Sequence, residues 1–302
     1  MTDQTGHIAV LVNPASGHGV GVDSARVAVE RLRARGADVR VHQGADERET
    51  VALGRLAVAE RPDVVVVVGG DGTVSSVLGP LLESGIPLAV VPGGTGNDLA
   101  REHGIPLDDA AAAADLALDG ARRRVDTGTV TADDGTVRHF VTVLCAGLDS
   151  LTNERTNRMT WPKGPARYLA AIYLEWLRLR RFAYRLEPAA APALEQDGYM
   201  LAVGLTRTYG GGVPICPGAD PADGLLDVTL VQAMGRFRLL AFDSLIKSGR
   251  HVERPEVTTL RTPAVRLTAP VGLVTYADGE PTGPVPVTIE AHHRSLTLCV
   301  PV

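Results

Sequence analysis

The sequence predicts an α/β protein in which an N-terminal doubly wound parallel sheet is followed by a C-terminal antiparallel, β-sandwich-like domain. Over the first third, short apolar runs alternate with amphipathic stretches, which is the βαβ signature. From about Asp126 the rhythm changes to alternating apolar and polar runs punctuated by Gly, Pro and Asp, as in antiparallel sheet. A length of 302 residues exceeds what one hydrophobic core usually serves, so two domains are expected, 1–126 and 127–284, before a final stretch.

The first strand is read at 7–12, a helix at 23–35 and a second strand at 38–41. A helix at 47–60 leads to Val64-Val65-Val66-Val67-Val68, a β-branched run suited to a central strand buried on both faces. A helix at 73–83 stops at Gly85, and 87–91 supplies another strand. In the second half, 137–144, 200–205, 226–231, 265–268, 271–276, 285–290 and 296–300 read as strands. The segment 164–182 reads as a helix carrying Arg167, Arg178, Arg180 and Arg181 beside Tyr168, Leu169, Ile172, Tyr173, Trp176 and Leu177. Two readings of that helix stand side by side: an apolar face packed on the sheet, or a face lying on an anionic membrane surface.

Composition narrows the function. Hydrophobic residues at 45% and charged residues at 22% describe an ordinary globular protein, and a net charge of -5 without a basic, aromatic-interleaved run excludes nucleic acid as the expected partner. Cys145, Cys216 and Cys299 are far apart and form no CxxC, so a reducing cytoplasm is expected rather than a disulfide framework or thiolate zinc. No apolar run approaches the roughly 18 to 20 residues that span a bilayer, so any membrane association is peripheral. The adjacent His292 and His293 point to opposite faces of a strand and cannot share a metal.

Three turns carry the chemistry. Asn13-Pro14-Ala15-Ser16-Gly17 follows the first strand, Gly69-Gly70-Asp71-Gly72-Thr73 the valine strand, and Pro92-Gly93-Gly94-Thr95-Gly96-Asn97-Asp98 the next. Open α/β sheets bind ligands at the carboxyl ends of their strands, where glycine lets backbone N–H groups approach phosphate and the following helix presents its positive end. Any one of these is equally a plain tight turn; three at neighbouring strand ends would line one crevice. Asp71 and Asp98 beside a phosphate cradle suggest Mg²⁺ or proton transfer, since an acid there otherwise repels the ligand. Walker A, the protein-kinase set, a Rossmann GxGxxG, HExxH and GxSxG are all absent.

NPASG at 13–17, GGDGT at 69–73, PGGTGND at 92–98, VDTG at 125–128 and ADGEP at 277–281 together resemble the diacylglycerol kinase catalytic-domain family, which includes bacterial lipid kinases and the sphingosine and ceramide kinases. GGDGT alone is shared with NAD kinases and phosphofructokinases, whereas PGGTGND with the late DGE is specific to lipid kinases. The resemblance implies an ATP-binding α/β domain, a β-sandwich-like second domain and a return of about 285–302 to the first, with ATP between the domains. It implies nucleotide or Mg²⁺ contacts at Asn13, Pro14, Ala15, Ser16, Gly17, Gly70, Asp71, Gly72, Thr73, Thr95, Asp98, Asp126 and Glu280. Asp278 matches the base for the lipid hydroxyl, with Asp71 the runner-up; by residue type alone, Asp278-Gly279 is a hairpin turn. Asp220, Asp223 and Leu225 match a structural metal loop, the alternative being a plain Asp-Gly turn before a strand. Family members commonly carry Asn or Glu after GGDGT and a basic residue after NPxSG, where this chain has Val74-Ser75-Ser76 and His18.

The implied activity is ATP-dependent phosphorylation of a lipid alcohol, diacylglycerol to phosphatidate foremost, by a cytoplasmic enzyme in peripheral contact with a membrane. An NAD kinase and a catalytically weak nucleotide- or lipid-binding regulator on the same fold are the alternatives. Oligomeric state is left open, a homodimer included.

Overall fold

Runs of apolar residues flanked by amphipathic helices build a first layer of parallel strands. The computed structural model describes residues 6–13, 20–44, 47–162 and 165–302. It divides into one unit of Met1–Thr127, Gly210–Gly212 and His293–Val302, and another of Gly128–Tyr209 and Val213–His292. The first unit holds β1 (His7–Val12), α1 (Val20–Ala34), β2 (Asp38–Gln43), α2 (Glu47–Ala59), β3 (Val64–Gly69), α3 (Asp71–Ser84), β4 (Leu88–Pro92), α4 (Asp98–Glu102), α5 (Ala110–Asp119) and the start of β5 (Ala121–Ala132).

The parallel order is β2-β1-β3-β4. Every residue of β3 is buried, because the valine run has a strand on each side and helices over the sheet. From β1 the chain steps one way to β2, then returns past β1 to β3 and continues the other way to β4. The reversal puts a topological switch point between β1 and β3, the place where an open α/β sheet leaves a crevice beyond its strand ends.

The second unit contains the rest of β5, then β6 (Val137–Phe140), β7 (Val143–Gly147), α6 (Leu148–Arg158), α7 (Pro165–Arg178), β8 (Phe182–Pro188), β9 (Leu194–Gly204), β10 (Leu226–Gln232), α8 (Arg236–Lys247), β11 (Val257–Thr262), β12 (Ala264–Thr268), β13 (Val274–Ala277), β14 (Glu280–Pro284) and the first part of β15 (Val287–Val300). Its strand pairs are antiparallel, β9 running between β7 and β8 on one side and β10 on the other. Leu201, Val203 and Leu205 join one core and Met200 and Ala202 another, so the sheet is covered on both faces where β9 crosses it. Arg155 of α6 forms a salt bridge with the buried Glu175 of α7, tying the two helices together.

Several elements differ from expectation. The helix read at 164–182 ends at Arg178, and after Leu179 in the left-handed region (φ 33) the chain enters β8. The strands read at 285–290 and 296–300 are one strand, β15, interrupted by Arg294 at φ 46. The single run read at 137–144 is two strands, parted at Val141-Thr142.

Gly128 of the VDTG motif pairs directly with Phe140 across β5 and β6, and a Cβ there would lie 2.1 Å from the Phe140 ring. The ring occupies the space a side chain at 128 would need. Gly128→Ala is expected to cost about 1 to 3 kcal/mol of stability by overpacking, read as a lower urea midpoint at unchanged m-value.

Candidate active site

The geometry at the strand ends of the first unit begins with two glycine backbones. Gly70 follows β3 in extended conformation (φ -97, ψ -175) and N-caps α3. Gly93 N donates to Gly69 O at 3.0 Å, holding the turn after β4 against the turn after β3. A Cβ built on Gly94 would lie 2.5 Å from Gly70 Cα, closer than any side chain permits. Asp71 uses both carboxylate oxygens across this contact: Oδ2 accepts Asp98 N at 2.8 Å and Oδ1 accepts Leu99 N at 3.0 Å. The carboxylate therefore stands at the positive end of α4, where backbone donors need partners.

Asn97 adopts the left-handed region (φ 54), and its amide closes the turn by accepting Gly94 N and donating to Gly94 O, both at 3.0 Å. Asp98 is buried; its carboxylate accepts Gly211 N at 2.9 Å and Gly212 N at 2.8 Å. Asn13, at the end of β1, donates through Nδ2 to the buried Thr73 hydroxyl at 3.4 Å. Thus Asn13, Gly70–Thr73, Thr95 and Asp98 gather at the carboxyl ends of β1, β3 and β4, at the switch point. Pro14, Ala15, Ser16 and Gly17 lie outside the described residues. Asp126 is buried on β5, where its Oδ1 accepts Arg294 N at 2.6 Å and stands 3.4 Å from His293 Nδ1.

In the second unit, Asp278 and Gly279 form the two-residue loop between β13 and β14, at φ 53 and φ 86, with Ala277 opposite Glu280. Two positive φ values are what a tight hairpin turn demands. The Asp278 carboxylate reaches Val141 N at 2.9 Å and Thr142 N at 3.0 Å, and accepts the Thr142 hydroxyl. Capture of these two amides is why 137–144 breaks into β6 and β7. Glu280 is exposed at the start of β14. In the other loop, Asp220 Oδ1 accepts Ala222 N at 3.0 Å and Asp223 Oδ1 accepts Leu225 N at 2.9 Å. Asp223 also pairs with Arg261, which reaches Asp227 through Nε at 3.1 Å. Burial raises the Asp227 carboxyl above its ordinary value, Arg261 opposes this, and Asp223 and Asp220 add repulsion. One guanidinium thus pairs with two carboxylates, and Asp220 adds its charge nearby. Among the described residues no group of three or more His, Cys, Asp or Glu side chains is arranged to hold a metal.

Residues 7–130 match the model of the diacylglycerol kinase catalytic domain, and residues 142–300 match that of the YegS C-terminal NAD kinase beta sandwich-like domain. The chain belongs to the diacylglycerol kinase family of lipid kinases. A diacylglycerol kinase of Mycobacterium tuberculosis is 43% identical over 298 residues, covering 99% of this chain and 96% of the relative. A Pseudomonas fluorescens protein named "Probable lipid kinase YegS-like" is 33% identical, covering 86% and 84%. The fold is shared with a crystal structure described as a diacylglycerol kinase from Bacillus anthracis, at a TM-score of 0.72 and 19% identity over 99% of this chain and 98% of that one.

Sequence reading of this lipid kinase missed Asn97 as the lock of its turn, the Gly210–Gly212 segment that receives Asp98, and Thr142 as the partner of Asp278. Asn97 stands inside a recognised motif; the other two are joined to their partners by tertiary pairing and carry no local signal. Also missed was a polar cluster in the second unit. Tyr209 donates through its hydroxyl to Asp149 Oδ2 at 2.9 Å, and Asn153 Nδ2 lies 3.8 Å from Cys145 Sγ. Burial pushes the Asp149 carboxyl up from 3.8 to about 6, partly opposed by the Tyr209 hydrogen bond, and pushes the Tyr209 hydroxyl and Cys145 thiol well up.

A raised carboxyl pKa favours the protonated form in the fold. Its stability is therefore complete below the unfolded value near 3.8 and is lost as pH rises through about 6. That loss is on the order of 3 kcal/mol at neutral pH. Asp149→Asn is expected to lack this decline, so denaturant titrations at pH 4.5 and 7.5 should differ less in the variant than in the wild type. An unaltered difference would remove Asp149 as its source.

Proposed function

We propose that this lipid kinase transfers the γ-phosphate of ATP to the hydroxyl of diacylglycerol, giving phosphatidate. The observation that carries the nucleotide half is the contact of Gly70 with Gly94, two turns brought together where no side chain fits, beside the first turn of α3. Backbone N–H groups of Gly70–Thr73, the Thr73 and Thr95 hydroxyls and the N-terminal end of α3 are the proposed phosphate donors. Pro14, Ala15, Ser16 and Gly17 are retained as nucleotide contacts on the family resemblance, and Glu280 with them.

Phosphoryl transfer is mostly positioning and charge neutralisation. The Asp71, Asp98 and Asp126 carboxylates fit a Mg²⁺ ion held through water, because an oxygen that accepts one N–H keeps acceptor capacity. When bound there, Mg²⁺ neutralises phosphate charge. The proposed work of these side chains is to orient its water ligands while their backbone donors keep them fixed. Asp278 is the proposed base that takes the hydroxyl proton, and Asp71 is the runner-up. An alcohol acceptor of this kind resides in membrane, so the kinase is proposed to work in the cytoplasm at a membrane surface in peripheral contact; among the described residues no helix is long and apolar enough to cross it.

Phosphate transfer from labelled ATP to a panel of diacylglycerol, a sphingoid base, phosphatidylglycerol and NAD tests the reading directly, and labelled phosphatidate is the expected product. Asp278→Asn is expected to lower turnover by about 10² to 10⁴ fold while keeping ATP affinity. Asn tolerates the left-handed backbone here, but its amide nitrogen opposes an N–H donor, so a stability loss of about 1 to 3 kcal/mol accompanies it. Turnover is therefore compared per folded molecule, and near-normal turnover removes Asp278 from the mechanism.

A structural cation is proposed at the Asp220, Asp223 and Leu225 loop, with the Asp223 carboxylate and the Asp220 and Leu225 carbonyls as ligands. Chelation is expected to lower the thermal midpoint and Asp223→Asn to abolish that response. An unchanged midpoint with metal loss verified leaves the loop without an ion.

A further inference from the structure

Helix α7 leaves most of its large apolar side chains outside. A helix on a protein surface normally directs its apolar stripe inward. Here Leu169 is 66% exposed and Tyr173 59%, in one stripe with the exposed Leu177, and Ile172 and Leu174 flank that stripe, also exposed, whereas Glu175 is 3% exposed and faces inward. The orientation is imposed from below, since Arg155 of α6 receives Glu175 in a salt bridge and the packing leaves the leucines outside. Single exposed apolar residues are ordinary, but five on one helix make a patch that marks an interaction surface.

Charge and aromatic placement identify what it meets. Arg178, Arg180 and Arg181 follow the patch, all exposed, and among the described residues none is paired with a carboxylate. Arg158, at the end of α6, is exposed as well, paired with Glu154. The chain has two tryptophans: Trp161, 80% exposed just before α7, belongs to this surface, whereas Trp176 packs partly on the core and carries the exposed Tyr173 ring stacked on it, ring centroids 6.3 Å apart. Leucines and aromatics on one face with arginines beside them are the composition of a helix that lies in the headgroup layer of an anionic bilayer.

We infer that α7, with Trp161 and the Arg178–Arg181 cluster, is the surface by which this kinase docks on membranes bearing anionic phospholipids. The inference rests on the reading that the acceptor is a membrane lipid, and it names where the enzyme meets the layer that contains it. The apolar face enters the acyl boundary, and the guanidinium groups meet phosphates.

The exposed Trp161 makes the test label-free, and binding is measured without nucleotide so that it is independent of the acceptor's identity. On phosphatidylcholine vesicles with about one quarter phosphatidylglycerol, Trp emission is expected to shift to the blue and to be quenched by brominated acyl chains. Raising salt should weaken the association. Replacing Arg178, Arg180 and Arg181 by Gln is expected to lower vesicle affinity on the order of a hundredfold, at roughly a factor of five per basic residue. Leu169→Gln with Tyr173→Gln should abolish quenching and, like the arginine variant, retain the wild-type melting midpoint and the activity on a short-chain, water-dispersed diacylglycerol.

No blue shift with anionic vesicles, or equal affinity for pure phosphatidylcholine, overturns the proposal. So does a concentration-dependent dimer in sedimentation that Leu169→Gln dissociates, because the patch is then a surface between two copies. Vesicle binding together with absent lipid phosphorylation retains the docking surface and rejects the activity proposed above, so the two failures are told apart.

Discussion

The approach of Gly70 to Gly94 is the constraint on which the strand-end turns of this lipid kinase depend. Two strand-to-helix turns can come into backbone contact only if neither carries a side chain, and a Cβ on Gly94 would overlap Gly70. Contact of glycines is not by itself adhesive, and the Asp71 carboxylate supplies the grip by holding the first amides of α4. The same residue begins α3, so one side chain fastens the start of one helix to the start of the next. Glycine grants the proximity and aspartate makes it persist.

That arrangement recasts the acids of the motif. An aspartate beside a phosphate cradle looks at first like electrostatic self-defeat, and sequence reasoning therefore looked to a cation or a proton. In the structure, Asp71 and Asp98 each have both oxygens on backbone N–H groups, and Asp126 holds Arg294 N. Backbone donors fix each carboxylate and offset part of its charge without consuming all its acceptor capacity. A water-mediated role toward a divalent cation and a purely architectural role are thus compatible in the same residue. Asp278 follows the same logic in the second unit, where it shapes a hairpin turn and decides where one strand stops and the next begins.

Helix α7 illustrates a different balance. Its segment has enough apolar residues to satisfy a core, yet Glu175 is the side chain turned inward, paired with the half-buried Arg155, and leucines stay outside. Burying an acid is unfavourable unless it is paired, and here the pairing is made by the neighbouring helix. The apolar face is accordingly left for something other than the protein's own interior.

The α/β class, the valine strand, the glycine-rich turns and the family itself were legible from the residues, because hydrophobic period and glycine placement are local properties that need no knowledge of the fold. The helices α5, α6 and α8 were not, since short helical stretches among strands of similar polarity carry no decisive period. The break between β6 and β7 depends on Asp278, more than a hundred residues away, and the exposure of α7 depends on Arg155 of another helix. Sequence by itself determined which turns carry glycines free of side chains and which carboxylates stand in them. Only tertiary structure decided which amides those carboxylates hold and which face of a helix meets solvent, because both follow from partners that the chain brings together over long separations.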